Sequence, residues 1–153
     1  VSKDYIKGCE SQSVAFSTGL GISWHRYESN PLLATPPKKE ATTGLRDPFV
    51  SRLEKISTLL GLDHSTDYMI LASGERAHGS QLYIYQSNNL LDWEPVGTVL
   101  DVKAGSKIPP RGNLKFGMNF ECASFFSIGS NDYLTLGVEE DQDSTRHNCR
   151  YAL

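Results

Sequence analysis

Ile84-Tyr85-Gln86-Ser87-Asn88-Asn89-Leu90-Leu91-Asp92-Trp93 decides the fold, because it is the second copy of a pattern already present at Ala15-Phe16-Ser17-Thr18-Gly19-Leu20-Gly21-Ile22-Ser23-Trp24. In each copy an aromatic residue precedes a tryptophan by eight positions, across a turn-forming stretch of Ser, Asn, Gly and Thr. That is the composition of a hairpin with an aromatic on each strand. The two tryptophans, Trp24 and Trp93, are 69 residues apart. Each hairpin leads through a proline-containing connection, Pro36-Pro37-Lys38-Lys39 or Lys107-Ile108-Pro109-Pro110-Arg111-Gly112, to an acid-bearing apolar run. The two acids, Asp47 and Glu121, are 74 residues apart. A period near 70 residues with about four strands per unit predicts β-propeller blades with long loops.

The rest of the chain agrees with an all-β reading. Residues 12–17, 22–27, 47–52, 68–72, 81–86, 93–97, 120–128 and 133–138 are rich in aromatic and β-branched side chains and bounded by Gly, Asn, Ser and Asp. Around Leu53, Ile56 and Leu60 a helical turn and an insertion loop are equal readings. The expected architecture is a partial propeller of two to three four-stranded antiparallel blades in a single domain. Residues 1–30 would hold outer strands of a first blade, 46–98 a second, and 119–153 the start of a third.

Composition narrows the function. A chain of 153 residues is one ordinary domain, and a net charge of −3 with 22% charged residues leaves no basic stripe for nucleic acid. No run of 18 apolar residues predicts a membrane span. The chain opens on Val1-Ser2-Lys3-Asp4-Tyr5, neither a signal peptide nor a start methionine, so it is expected to be an internal piece of a longer polypeptide. Cys9, Cys122 and Cys149 lack metal-type spacing. Buried free thiols are expected, with a Cys9 to Cys149 bridge as the alternative. No Asn-x-Ser/Thr sequon occurs.

The chemistry lies in Arg46-Asp47-Pro48-Phe49-Val50 and Asn119-Phe120-Glu121-Cys122-Ala123-Ser124-Phe125-Phe126. Glycosidases need one carboxyl to protonate the leaving oxygen and another to attack the sugar or activate water, with further acids to hold hydroxyls. Glu121, among aromatics, is placed to be desolvated toward a general acid; a strand Glu paired with Arg or Lys is the alternative. Asp47 reads either as a sugar-binding carboxylate or as a strand-entry turn residue. Arg46 could bind a sugar hydroxyl or a neighbouring carboxylate. Cys122 should point away from Glu121 and pack, since side chains alternate along a strand. Trp24 and Trp93 read as blade-core aromatics, and His25, His64, His78 and His147 as scattered residues without metal spacing. Glu75, Arg76 and His78 could line a cleft.

The order Arg-Asp-Pro, then Glu-Cys, resembles family 32 of the glycoside hydrolases, the invertases, inulinases, levanases and related fructosyltransferases. The resemblance runs from about Gln12 to Glu139. It departs from the family at Phe120, where Trp is usual, and at Ala123-Ser124, positions that bear on substrate preference and on hydrolysis or transfer. The family's nucleophile motif, Trp-x-Asn-Asp-Pro-Asn-Gly, is absent from these residues. The resemblance implies a five-bladed propeller and a retaining mechanism. In it Glu121 is the acid/base, Asp47 stabilises the charged sugar, and the nucleophilic Asp lies upstream. It implies sucrose or fructan oligosaccharides as substrates, no metal or organic cofactor, and a secreted parent enzyme, with the present chain inactive alone. The rivals are a catalytically inactive carbohydrate-binding propeller and a propeller glycosidase acting on arabinosides or xylosides.

Overall fold

A computed structural model describes residues 8–38, 41–52, 54, 57–58, 61–107 and 115–139. It is all-β and antiparallel. Its strands are β1 (Ala15–Phe16), β2 (His25–Arg26), β3 (Thr42–Ser51), β4 (Asp67–Glu75), β5 (Gly79–Ser87), β6 (Glu94–Lys103), β7 (Asn119–Ile128) and β8 (Asn131–Glu139). They form a β1-β2 hairpin, a four-stranded sheet in the order β3-β4-β5-β6, and a β7-β8 hairpin.

The four-stranded sheet is apolar on both faces. Along β4, Tyr68, Ile70 and Ala72 point one way and join Leu82, Ile84, Phe120, Ala123, Leu136 and Val138 in a core shared with β7-β8. Met69 and Leu71 point the other way, with Leu45, Tyr83 and Tyr85, against Leu33 and Trp93. The segment before β3 is tied to this second face: Gln12 pairs with Leu33, and its Nε2 donates to the Leu45 carbonyl at 2.7 Å. A sheet buried on two sides carries continuous apolar runs, which is why 68–72 reads as it does. β6, the outermost strand, is largely exposed.

Several expectations need adjusting. β3 begins at Thr42, five residues before the run predicted from Asp47. The first hairpin pairs only two residues per strand, and Trp24 is 64% exposed instead of lying in a blade core. Its indole is held locally by a bond from Nε1 to the Gly21 carbonyl at 2.8 Å, and among the described residues no third strand lies against β1-β2 to cover it. Trp93 repeats that bond to Leu90 at 3.1 Å, but packs on the second core. Cys9 and Cys122 are exposed thiols outside any disulfide among the described residues, not buried ones; Cys149 and His147 lie outside the described residues. Glu54, Ser57 and Thr58 are helical, in favour of the helical turn, while Leu53, Ile56 and Leu60 lie outside the described residues.

Candidate active site

β3 and β7 carry the same backbone irregularity at their motifs. On β3, Arg46 pairs with Ala72 and Phe49 with Ile70, so Asp47 and Pro48 together oppose one residue. On β7, Glu121 pairs with Gly137 and Ser124 with Thr135, so Cys122 and Ala123 do the same. Each is a β-bulge, and the first residue of each has left-handed backbone, φ 55° at Asp47 and 48° at Cys122. A non-glycine residue held there costs about 1–2 kcal/mol, and a bulge re-aims its side chain. Pro48, lacking an N–H, is accommodated in the bulge of a strand that ends its sheet.

The bulges place Asp47 and Cys122 face to face. The Cys122 N–H donates to Asp47 Oδ2 at 2.9 Å, and its Sγ lies 3.7 Å from the same oxygen. Cys122 is therefore not a packing residue. The left-handed turn interrupts the alternation that would have buried it, and the thiol is exposed beside Asp47. The bulges also revise the repeat: Asp47 corresponds to Cys122, and Arg46 to Glu121, so the two acids occupy neighbouring, not equivalent, positions of their strands.

Glu121 lies half-buried with its Oε1 4.0 Å from Arg46 Nη2. Two aromatics expected around it pack elsewhere. Phe120 turns into the core and meets Phe116 edge-on at 5.9 Å, while Phe126 stacks on Tyr133 at 5.5 Å further along the hairpin. Arg46 Nη2 also reaches Glu139 Oε2 at 3.1 Å. Glu139, at the end of β8 and 8% exposed, was not singled out in the sequence. Only the pairing of Asn119 with Glu139 brings it to Arg46; the available signal was an acid ending an apolar strand.

A buried polar stitch holds the two strands in place. The Thr43 hydroxyl lies 3.1 Å from Asn119 Oδ1 and 3.2 Å from the Met118 carbonyl, and donates to one of them at a time. Asn119 Nδ2 donates to the Phe120 carbonyl at 2.7 Å, and Ser80 Oγ to the Gly117 carbonyl at 3.0 Å. Gly74 permits the close approach: a Cβ there would lie 1.9 Å from the Met118 oxygen. The cluster thus sets two carboxylates and a guanidinium at a partly open edge. Such groups can accept hydrogen bonds from sugar hydroxyls and deliver a proton to a glycosidic oxygen.

The other candidates do not join it. Glu75 binds Lys38 at 2.7 Å and His78 binds Asp101 at 2.5 Å, at the end of β4 away from the stretch facing Asp47. The bond to Glu75 holds the Lys38 ammonium above its ordinary range. His25 and His64 are exposed and apart. Among the described residues, no three His, Cys, Asp or Glu side chains gather as metal ligands, and no helix is long and apolar enough to cross a membrane.

The model of the glycosyl hydrolases family 32 N-terminal domain matches residues 2–152. The chain belongs to this family. A levanase of Bacillus subtilis is 34% identical over 87 residues, 57% of this chain and 10% of the levanase. An extracellular exo-inulinase of Aspergillus niger is 33% identical over 90 residues, 57% of this chain and 15% of that protein. A β-fructofuranosidase of Aspergillus kawachii, solved with glycerol, superposes with a TM-score of 0.76 at 24% identity, over 94% of this chain and 26% of that one. The chain therefore spans a small part of each of these family 32 relatives, and its fold is that of a partial β-propeller.

Proposed function

We propose that this chain forms part of the catalytic propeller of a retaining glycosidase acting on sucrose or fructans. The observation that carries the reading is the bond from the Cys122 N–H to Asp47, which sets the Arg-Asp-Pro and Glu-Cys motifs against one another across two strands. In this reading Glu121 protonates the leaving oxygen and then activates water or an acceptor sugar. Asp47 holds fructosyl hydroxyls as the ring gains positive charge. Arg46 orders the acids around it. The nucleophilic aspartate comes from sequence outside these 153 residues. The β1-β2 hairpin, the four-stranded sheet and the β7-β8 hairpin are read as parts of three successive blades. A location outside the cell is part of this reading, supported by the extracellular exo-inulinase among the relatives.

The test is the release of fructose from sucrose, inulin and levan by the longer protein that contains this chain, with an arabinoside as comparison. Fructose release is expected, and Glu121→Gln should lower kcat by about three orders of magnitude with folding intact. Binding of sugar without turnover would support the carbohydrate-binding rival, and arabinose release the other. Residues 1–153 alone are expected to release no fructose.

A further inference from the structure

We propose that Glu139 is a positioning residue: it anchors the Arg46 guanidinium beside Glu121 without letting Glu121 capture it, and Gly44 leaves the space in which that guanidinium lies. The inference rests on the acid/base reading of Glu121.

One nitrogen, Arg46 Nη2, serves both acids, at 3.1 Å from Glu139 and 4.0 Å from Glu121. The shorter contact goes to the more buried carboxylate, with side-chain exposures of 9% for Glu139 and 20% for Glu121. Burial strips a carboxylate of its hydration, so a charged contact matters more at Glu139 than at Glu121, and Glu139 holds the closer one. Among the described residues the buried Arg46 Nε has no hydrogen-bond partner, so the anchoring contact is the one through Nη2. Above the guanidinium, a Cβ on Gly44 would sit 3.0 Å from Nη2, 3.1 Å from Nε and 3.2 Å from Asn119 Oδ1. Asn119 is fixed by Thr43, so an added methyl would displace the guanidinium first.

The consequence concerns the proton that Glu121 must give away. Near it stand Arg46 on β3, whose guanidinium Glu139 on β8 shares, and the adjoining Cys122, which is bonded to Asp47. Without the charge of Glu139, Arg46 closes on Glu121 and one negative neighbour is lost. Both changes favour the ionised carboxylate, so the acid form is lost at lower pH.

Two measurements on the longer protein decide it. In Glu139→Gln the alkaline limb of the kcat/KM profile on sucrose should move down by roughly half a unit or more, and Glu139→Asp should restore most of it. The Arg46 side-chain N–H signals, read by nitrogen-15 NMR at low temperature, should be resolved in the wild type and shift and broaden in Glu139→Gln. Gly44→Ala, with every charge retained, should lower kcat/KM about tenfold. If Glu139→Gln fails to fold, Gly44→Ala carries the NMR test, because it displaces the same guanidinium with every charge retained. An unmoved limb overturns the proposal, as do unchanged Arg46 signals. Absence of fructose release by the wild type would instead defeat the acid/base reading, and the NMR comparison would still decide the anchoring.

Discussion

β3 and β7 make the same backbone bulge, yet fill it with opposite chemistry. β3 places a cation before the bulge and a carboxylate at its apex, Arg46 then Asp47; β7 places a carboxylate before it and a thiol at its apex, Glu121 then Cys122. The two apices touch. A repeated local geometry is thus used to bring non-repeated side chains together, and the comparison separates what the backbone supplies from what each side chain adds.

Removing the common footing has the largest expected effect. Gly74→Ala puts a methyl onto the Met118 carbonyl, with Thr43 Oγ1 only 2.6 Å away, and pushes β7 off β3. Steric insertion in a packed core costs about 1–3 kcal/mol, and the site would be lost with the strand. Thermal unfolding and fructose release should fall together. A variant with wild-type Tm would show that the strands meet differently.

Asp47 breaks the comparison on one side only. Asp47→Ala removes the acceptor of the Cys122 N–H, and is expected to lower kcat by about 10²–10³ with a smaller change in KM. Asp47→Asn keeps an acceptor for that N–H and should recover about 1 kcal/mol of stability relative to Ala without recovering turnover. Loss of stability with kcat preserved would make Asp47 a strand-entry residue.

The smallest effect is expected on the other apex. Cys122→Ser leaves the backbone N–H in place and substitutes an exposed side chain, so stability should stay within about 0.5 kcal/mol. Fructose release should stay within a few-fold. A hundredfold drop would assign the thiol itself a part in the chemistry.

The strands of the four-stranded sheet, the inner sheet because both its faces are covered, were legible because two-sided burial writes itself as an apolar run, as in Tyr68-Met69-Ile70-Leu71-Ala72. Thr42-Thr43-Gly44-Leu45 was not, since its burial comes from neighbours distant in sequence and its composition resembles a loop. The motifs named Asp47, Glu121 and Arg46, but alternation gave the wrong burial for Cys122, because no property of Glu-Cys-Ala announces a left-handed residue. Pro48 was the one hint of irregularity, on β3. Glu139 was invisible for a different reason: its partner lies 93 positions away, and only strand pairing connects them. The hairpin repeat was real at the level of the turn, where Trp24 and Trp93 make the same bond. It was misleading about burial, which each tryptophan receives from what packs over it.

The inner sheet also has a consequence for the chain before it folds. A strand that is apolar on both sides is sticky at every residue while it waits for its neighbours, and its partners arrive late: β7 is synthesised more than forty residues after β4. During that interval the stretch from Tyr68 to Ala72 has the hydrophobicity and low charge of a segment that stacks with copies of itself. Asp67 and Glu75 stand at its two ends. Charges at strand ends oppose such stacking, the general role of gatekeeper residues.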